Sequence, residues 1–476
     1  MSVPKLDYLF NPQSVAVVGV SLDDTKFNSG RSYFLSLVES GFKGKLYPVN
    51  PSGGETRGFK VYPSVRDIPD NVDYVISAIP AEYATQLVAD CAAKGVKAIH
   101  FFTAGFSEIE DQVGERLETE LVELTRKNGI RIIGPNCMGI YCPKTGLSFS
   151  REFPGQPAFP GQTGPLGFMA QSGTNSIYCI DEAANRGVYF SKAISYGNAA
   201  DLNESDFLEY LGDDPDTKII AAYIEGVKDG QRFARTLRRV AILKPVIIFK
   251  AGITESGTRA ASSHTGSIAG STRIWSTLLR QAGAIEVHSV EEIVDVAQLF
   301  LLVNPPTGRN TAIIGMGGGP SVQATDDCVN AGLAVPAFPL EVRQKLVESF
   351  HTVAGRIFRN PVDIPFKAIT TTVQIIAASD EINLVMIHIP FDGWSLVDRR
   401  DFVNPAVETI LEVRGVTTKP VVIVFHCQAT ELAKQLGAKA HSRLTEAGFP
   451  VYPSITRAAT AMKRFIDYQV RHQGEA

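Results

Sequence analysis

The stretch that decides the fold is Pro165-Leu166-Gly167-Phe168-Met169-Ala170-Gln171-Ser172-Gly173, where an apolar run ends in a glycine turn and helix-compatible sequence follows. Ser14-Val15-Ala16-Val17-Val18-Gly19-Val20-Ser21 repeats this arrangement, and so does the segment NTAIIGMGGGP, residues 310–320. A buried strand that runs through a glycine-rich turn into a helix is typical of the first βα unit of an α/β domain. Three such openings predict three doubly wound domains with parallel sheets.

The length and composition agree with this prediction. A chain of 476 residues forms about three domains, because single cores rarely grow beyond roughly 250 residues. Hydrophobic residues make up 44%, charged residues 20% and the net charge is -4, which favours a globular protein over a disordered or nucleic-acid-binding one. No apolar run approaches the roughly 18 residues of a membrane span, and the N-terminus has no secretory pattern. We therefore expect a cytoplasmic protein with neither nucleic acid nor membrane as a partner.

Cysteine spacing argues against a metal site. The six cysteines are scattered, mostly within apolar segments, and lack the close paired spacing of zinc ligands. Reduced thiols and no bound metal are expected.

Composition also marks the domain boundaries. The stretch from Pro143 to Pro165 contains five prolines and four glycines, which is typical of a linker that crosses the surface. Val303-Asn304-Pro305-Pro306-Thr307-Gly308 marks a second, shorter joint. The predicted organisation is a first domain over 1–142, a linker over 143–164, a second domain over 165–303 and a third over 309–470.

The strand ends of the first domain predict a ligand site, since ligands of doubly wound sheets bind at the carboxyl ends of the strands. Small or turn-forming residues follow all five predicted strands: Gly19 and Ser21, Asn50 and Pro51, Ile79 and Pro80, Ala104 and Gly105, Asn136 and Cys137. The first turn lacks the G-x-G-x-x-G spacing, and the second strand ends in Pro48-Val49-Asn50-Pro51 without an acidic residue. A phosphate-bearing ligand other than NAD is favoured; the alternative is that these glycines only make tight turns.

The second domain carries residues suited to phosphate chemistry. Gln171-Ser172-Gly173 should open a helix, with Ser172 as its cap and exposed N–H groups able to bind an anion. Glu225 follows the apolar strand that begins at Ile219. A carboxylate there can accept a hydrogen bond from one imidazole N–H, which leaves the other ring nitrogen free to attack phosphorus. The alternative for Glu225 is a surface salt bridge.

The imidazole of this prediction is His264, in the small-residue loop Ala260-Ala261-Ser262-Ser263-His264-Thr265-Gly266-Ser267. It is the only side chain of this loop that can attack phosphorus. A strand ending near Gly252 precedes the loop, and a helix containing Ile274, Leu278 and Leu279 is predicted to follow it. The alternative is a histidine that caps its own loop.

Several motifs together resemble the NDP-forming acyl-CoA synthetases, a family that includes the ADP-forming acetyl-CoA synthetases and is related to succinyl-CoA synthetase. The second domain carries most of them: Ala170-Gln171-Ser172-Gly173, Ser195-Tyr196-Gly197-Asn198, Tyr223-Ile224-Glu225-Gly226, Lys250-Ala251-Gly252 and the segment SHTGSIAG over 263–270. Val17-Val18-Gly19-Val20-Ser21 and Gly134-Pro135-Asn136-Cys137-Met138-Gly139 resemble the CoA-binding domain of the family. Gly317-Gly318-Gly319-Pro320 and Asn360-Pro361-Val362-Asp363-Ile364 resemble its third domain.

The resemblance implies a Rossmann-like CoA-binding domain followed by two flavodoxin-like domains, with His264 transiently phosphorylated and Glu225 as its carboxylate partner. It implies that the phosphate is stabilised by Gln171, Ser172, Gly173, Ser263, Thr265 and Gly266. It implies a CoA pocket among Gly19, Ser21, Pro48, Asn50, Ile79, Pro80, Thr103, Ala104, Asn136 and Cys137.

The implied activity is that of an acid–CoA ligase alpha subunit, which interconverts acid, CoA and ATP with acyl-CoA, ADP and phosphate through acyl phosphate and phosphohistidine. The resemblance also implies that ATP, ADP and Mg²⁺ bind mainly to an ATP-grasp beta subunit in a hetero-oligomer, and the absence of a P-loop pattern in this sequence agrees with that expectation. The alternatives are a CoA-binding or acyl-CoA-sensing regulatory protein and an NAD-linked oxidoreductase. The acid, the choice between ADP and GDP, the direction and the stoichiometry stay open.

Overall fold

The structure is a computed structural model of the 476-residue chain, and it describes residues 6–109, 111–151, 156–257, 272–315, 317–350, 358–391, 403–427 and 431–473. These residues divide into two compact units. The first unit comprises residues 1–184 and 189–293, and the second comprises residues 185–188 and 294–476. The first unit contains two large sheets, and the second contains one.

The first sheet has five parallel strands in the order β2-β1-β5-β6-β7. Its strands are β1 (Ser14–Val18), β2 (Lys45–Val49), β5 (Tyr74–Ser77), β6 (Ala98–Phe101) and β7 (Arg131–Ile133), and a separate hairpin is formed by β3 (Gly54–Thr56) and β4 (Phe59–Val61). Helices α1 (Asp7–Phe10), α2 (Ser29–Glu39), α3 (Ala84–Lys94) and α4 (Gln112–Lys127) accompany it. Every residue of β1 is buried, as expected for a parallel strand covered on both faces.

The second sheet has the order β13-β12-β11-β9-β10-β8, and only its edge strand β8 runs antiparallel among the described strands. Its strands are β8 (Gly139–Tyr141), β9 (Leu166–Ala170), β10 (Phe190–Ser195), β11 (Ile219–Ile224), β12 (Val246–Lys250) and β13 (Ile285–Val287). Its helices are α5 (Gly173–Ala184), α6 (Glu204–Asp213), α7 (Gly230–Leu243) and Thr272–Gln281. The strand β8 falls within the range 1–142 that composition assigns to the first domain, but it pairs with β10.

The third sheet is wholly parallel among the described residues, in the order β15-β14-β16-β17-β18. Its strands are β14 (Thr311–Gly315), β15 (Val362–Asp363), β16 (Leu384–Phe391), β17 (Val421–Cys427) and β18 (Val451–Tyr452). The remaining helices are Val290–Leu302, Gly318–Ala331, Leu340–Phe350, Ile369–Ala377, Val403–Glu412, Glu431–Glu446 and Ile455–Gln473. A core of Val, Ile and Leu side chains fills the space between this sheet and its helices.

All three sheets share one strand order. Counting only the parallel strands of each sheet in chain order gives 2-1-3-4-5, the flavodoxin-like arrangement, so the prediction of doubly wound α/β domains is confirmed. In this order the chain leaves strands 1 and 3 in opposite directions, which opens a crevice at their carboxyl ends. The crevices of the first unit therefore lie between β1 and β5 and between β9 and β11.

Two predicted elements of the second domain agree with the structure. The strand predicted to begin at Ile219 and to be followed by Glu225 is β11, and the helix predicted around Ile274 and Leu278 spans Thr272–Gln281. The described part of the predicted linker, 143–151 and 156–164, contains no named helix or strand.

Candidate active site

Glu225 lies in the crevice of the second sheet, directly after β11. The residue is 7% exposed, so its carboxylate is buried rather than on the surface. The side-chain oxygen Oε1 of Gln171, which follows β9, accepts hydrogen bonds from the backbone N–H groups of Glu225 at 2.6 Å and Gly226 at 2.9 Å. These bonds fix the Glu225 backbone at the point where the two strand ends diverge.

Only one of the two oxygens of the Glu225 carboxylate accepts a hydrogen bond from the described residues. The Tyr223 hydroxyl donates to Oε1 at 3.1 Å, while Oε2 is buried without a hydrogen-bond partner among the described residues. Burial raises the pKa of Tyr223, which keeps its hydroxyl protonated and able to donate. The alternative of a surface salt bridge is wrong for Glu225, because the residue is buried and no ion pair involves it within the described ranges.

Helix α5 begins two residues after Gln171, which bonds to the Glu225 backbone, and the sequence predicts a helix start here. It starts at Gly173, and Ser172 Oγ accepts the backbone N–H of Asn175 at 3.2 Å, which confirms Ser172 as a helix-start cap. A Cβ at Gly173 would lie 2.9 Å from Cγ of Met138, so a glycine allows the helix start to approach the loop after β7. The free N–H groups of this helix start are suited to binding an anion.

The loop that follows Glu225 is fixed on its far side as well. Glu204, the first residue of α6, accepts the backbone N–H of Lys228 at 3.0 Å through Oε1. Lys250, the last residue of β12, donates its ammonium protons to the backbone carbonyls of Glu225 at 2.7 Å and of Ala251. Side chains from three neighbouring elements thus hold the backbone over residues 225–228.

The predicted CoA residues surround the crevice of the first sheet. Gly19 has a φ of +98°, and a Cβ there would lie 2.6 Å from the carbonyl oxygen of Ala78, so this turn requires glycine. Asn50 donates Nδ2 to the Val20 carbonyl at 3.0 Å, and the Thr103 hydroxyl donates to the carbonyl of Ile79. Further members of the set are more exposed, namely Pro80 and Ala104, while Ser21 is partly buried.

Two members of the predicted CoA set are buried in the protein. Pro48 lies within β2, and Cys137 is 4% exposed. Burial raises the pKa of the Cys137 thiol, so it is not a thiolate at neutral pH and is unsuited to act as a nucleophile. His100 Nε2 lies 2.8 Å from the Cys137 carbonyl, and since a carbonyl can only accept, Nε2 carries the proton.

The two crevices are joined by the loops after β7 and β10. The Asn198 N–H donates to the Pro135 carbonyl at 3.0 Å, and Asn136 Nδ2 lies 3.5 Å from Asn198 Oδ1. Asn198 Nδ2 donates to Glu108 Oε2 at 2.6 Å and to Glu118 Oε2 at 3.0 Å. The predicted CoA edge and the edge that carries Glu225 therefore meet within the first unit.

Four predicted site residues, Ser263, His264, Thr265 and Gly266, lie outside the described residues. Sequence reasoning overlooked Tyr223 and Lys250 as contacts of Glu225. Tyr223 carried a usable signal, because residues i and i+2 of an extended segment point to the same side. Lys250 carried a usable signal as well, because it is a charged residue that follows four apolar residues of a strand, VIIF over 246–249.

Comparisons with known proteins match this geometry. Residues 13–143 match a family described as "CoA binding domain", and residues 163–300 match "Succinyl-CoA ligase like flavodoxin domain". The chain is 35% identical over 466 residues to the acetate–CoA ligase (ADP-forming) I subunit alpha of Pyrococcus furiosus, covering 96% of each chain. The chain belongs to the ADP-forming acyl-CoA synthetase family. Within this family it is also 39% identical over 387 residues to the acetate–CoA ligase (ADP-forming) I of Archaeoglobus fulgidus, of which it covers 54%.

A solved structure of this family has the same fold. The dinucleotide-forming acetyl-coenzyme A synthetase 1 of Ca. Korarchaeum cryptofilum, in complex with phosphate and ADP, superposes with a TM-score of 0.82 at 30% identity, covering 98% of each chain. Among the described residues of the present family member, no group of three or more His, Cys, Asp and Glu side chains could hold a metal ion. No described helix combines the length and the apolar character needed to cross a bilayer.

Proposed function

We propose that this chain is the alpha subunit of an ADP-forming acid–CoA ligase. The reaction interconverts a carboxylic acid, CoA and ATP with acyl-CoA, ADP and phosphate. In the ATP-forming direction phosphate displaces CoA to give an acyl phosphate, His264 takes the phosphoryl group and releases the acid, and ADP accepts the group from the phosphohistidine. Each step transfers one acyl or phosphoryl group, so atoms and charges balance.

The observation that carries the proposal is the Oε2 oxygen of Glu225. It is buried, lacks a hydrogen-bond partner among the described residues and lies beside the start of a helix suited to binding phosphate. Such an acceptor suits an imidazole N–H of His264. Accepting that proton fixes the tautomer and leaves the other ring nitrogen free to attack phosphorus.

We further propose roles for the residues around Glu225. The helix start at Ser172 and Gly173 stabilises the phosphoryl oxygens through its N–H groups, with Ser263, Thr265 and Gly266 contributing from the His264 loop. Gln171 positions Glu225 through the backbone and so contributes to phosphate binding indirectly. Imidazole is a good nucleophile and phosphoimidazole a good phosphoryl donor, so the protein's task is mainly positioning and charge stabilisation.

CoA is assigned to the crevice of the first sheet. The domain boundaries 1–142, 165–303 and 309–470 are part of the same proposal. Contacts are proposed from the turn at Gly19 and Ser21, and from Asn50, Pro80 and Thr103. The contacts between Asn136 and Asn198 support a short path from the CoA thiol to the phosphorylated histidine. The buried residues Pro48 and Cys137 would pack under the residues that line this crevice.

A partner subunit completes the proposed enzyme. The Pyrococcus relative is named an alpha subunit, and the chain covers only 54% of the longer Archaeoglobus relative. We assign ATP, ADP and Mg²⁺ to an ATP-grasp beta subunit in a cytoplasmic hetero-oligomer. The acid substrate is a small carboxylic acid whose identity is open.

Phosphorylation of His264 is the direct test. The chain, purified with its beta partner, is incubated with ATP labelled at the γ-phosphate and Mg²⁺, and acid-labile protein-bound phosphate is measured. We expect labelling of the wild type and of His288→Ala, which removes an exposed histidine of the same unit, and none of His264→Ala. Equal labelling of His264→Ala would refute the assignment.

A screen of carboxylic acids for CoA- and ATP-dependent thioester formation tests the activity and identifies the substrate together. Binding of CoA without labelling and without thioester formation for any acid would favour the regulatory alternative.

A further inference from the structure

Lys250 is a buried cation that joins two strand ends next to Glu225. The residue is 2% exposed. Its Nζ atom donates to the carbonyl oxygen of Glu225 at 2.7 Å and to that of Ala251. These carbonyls follow β11 and β12, and the second strand leads towards the segment that contains His264. One ammonium group thus bonds to the backbone at both strand ends.

The charge of Lys250 is not neutralised by a direct ion pair with any described residue. The Lys250 Nζ atom lies over the Trp275 ring, 5.3 Å from the ring centroid. Burial lowers the pKa of Lys250 to about 8, and the negative charge of the Glu225 side chain opposes this shift. The ammonium therefore remains charged at neutral pH, at the cost of its desolvation, and its field acts on the Glu225 carboxylate.

We propose that Lys250 is a positioning residue for Glu225: it bonds to the backbone from which the carboxylate projects and supplies a positive charge that acts on this carboxylate. This inference rests on the proposed function, because it assigns Lys250 a part in the attack of His264 on phosphorus. Without Lys250, the Glu225 carbonyl would lose its buried donor and the carboxylate its nearby cation. Misplacement of a reacting group by about 1 Å costs roughly 100-fold in rate.

The chain provides a matched control at the opposite end of the same strand. Lys244 lies two residues before β12, and its Nζ atom donates to two backbone carbonyls, those of Leu211 at 2.8 Å and Asp214 at 2.6 Å. Burial lowers the pKa of Lys244 to about 8 as well. Lys244 resembles Lys250 in bonding to two backbone carbonyls, although it is only partly buried, and it lies at the amino end of the strand, away from the crevice.

The experiment compares Lys250→Met and Lys244→Met in the chain purified with its beta partner. Histidine labelling is measured as a rate, and thioester formation as separate kcat and KM values. We expect both variants to melt at a lower temperature than the wild type. Lys250→Met should lose roughly 100-fold in labelling rate and in kcat, with KM for CoA within about twofold of the wild type. Lys244→Met should keep its kcat within about twofold.

Equal kcat losses in the two folded variants would overturn the inference, since both would then reflect the loss of a structural lysine. Should Lys250→Met show no cooperative melting, Lys250→Gln takes its place, because it keeps an N–H donor but removes the charge. A labelling rate of Lys250→Gln equal to that of the wild type would also overturn the inference.

The two proposals fail in different ways. A wild-type complex that is never labelled overturns the proposed function and this inference with it. Labelling of the wild type and of Lys250→Met at one rate, combined with none of His264→Ala, overturns only the role of Lys250.

Discussion

Gln171 and Glu225 are joined across the crevice of the second sheet, because Oε1 of Gln171 lies 2.6 Å from the backbone nitrogen of Glu225 and accepts its hydrogen bond. The same oxygen accepts the N–H of Gly226 at 2.9 Å. One side-chain oxygen thus satisfies two buried donors at the end of β11. A residue that follows a different strand therefore helps to fix the backbone of Glu225.

Gln171→Met should destabilise the protein, since it leaves these two N–H groups buried and unsatisfied. We expect the free energy of unfolding to fall by about 2 to 5 kcal/mol, measured by urea denaturation. Gln171→Glu keeps the acceptor oxygen and should retain most of that stability. Equal losses in both variants would contradict the role assigned to the hydrogen bonds.

Glu225→Gln should abolish most of the phosphotransfer while leaving the fold intact. The amide can still accept from Tyr223, but it no longer carries the charge that stabilises a developing imidazolium. We expect the histidine labelling rate to fall by about 10² to 10⁴. Glu209→Gln, at an exposed position of α6, is the control and should be labelled like the wild type. Normal labelling of Glu225→Gln would show that the carboxylate is not needed.

Tyr223→Phe removes the hydroxyl that holds Glu225 Oε1. A hydrogen bond to a charged group contributes about 1.5 to 3 kcal/mol, so the labelling rate should fall by roughly tenfold or more. Tyr196→Phe is the matched control, because the buried Tyr196 hydroxyl has no partner among the described residues. It should be as stable as the wild type or more so. A larger rate loss in Tyr196→Phe than in Tyr223→Phe would contradict this account.

Acid should destabilise the first unit through His100. Burial lowers the pKa of His100 to about 4, although its bond to the Cys137 carbonyl opposes the shift. As the pH decreases, His100 is therefore protonated in the unfolded chain before it is protonated in the folded protein. The free energy of unfolding falls as the pH decreases from about 6.5 through 4. Between pH 7 and pH 5 the loss should be about 2 kcal/mol in urea titrations.

The variant His100→Asn should lose this pH dependence, while His288→Asn, at an exposed position, should keep the wild-type slope. A slope that is unchanged in His100→Asn would place its origin in other groups.

Asp295 should be a main source of stability in the second unit. It is 1% exposed and accepts from Arg457 Nε at 2.7 Å, Arg457 Nη2 at 2.9 Å and Arg186. Asp295→Asn removes the buried negative charge to which both guanidinium groups donate, and it should cost about 3 to 5 kcal/mol in denaturant unfolding. Glu408→Gln, which breaks the exposed pair with Arg443, should cost less than about 1 kcal/mol. Similar costs for both variants would contradict the importance of burial.

The sequence was informative about architecture for a definite reason. Strands such as Ser14–Val18 are buried throughout and are followed by glycine or small residues, so local composition alone marks both their position and their carboxyl ends. The parallel arrangement then places those ends at one edge of each sheet. Glu225, Ser172 and Gly173 could be selected in this way, and they lie together in the structure. His264 remains a prediction from its loop and from the family resemblance.

The contacts around Glu225 could not be read in the same way. Three side chains bond to the 225–228 loop from positions that are distant along the chain, namely Gln171, Lys250 and Glu204. Neither their spacing nor their residue type indicates which backbone group each side chain bonds. Gln171 was expected to stabilise phosphate, whereas its oxygen binds the backbone of the Glu225 loop. Buried polar groups must find partners, but which partner they find depends on how the strands are ordered in the sheet.

The sequence by itself determined three α/β sheets, their glycine turns and the carboxylate that follows β11, because burial periodicity and turn chemistry are local properties of the chain. Only the tertiary structure decided that β9 lies next to β11, that β8 leaves the first predicted domain to pair with β10, and that Lys250 meets the Glu225 carbonyl. Those relations depend on strand order and on packing between segments distant in sequence, and they arise only when the whole core is assembled.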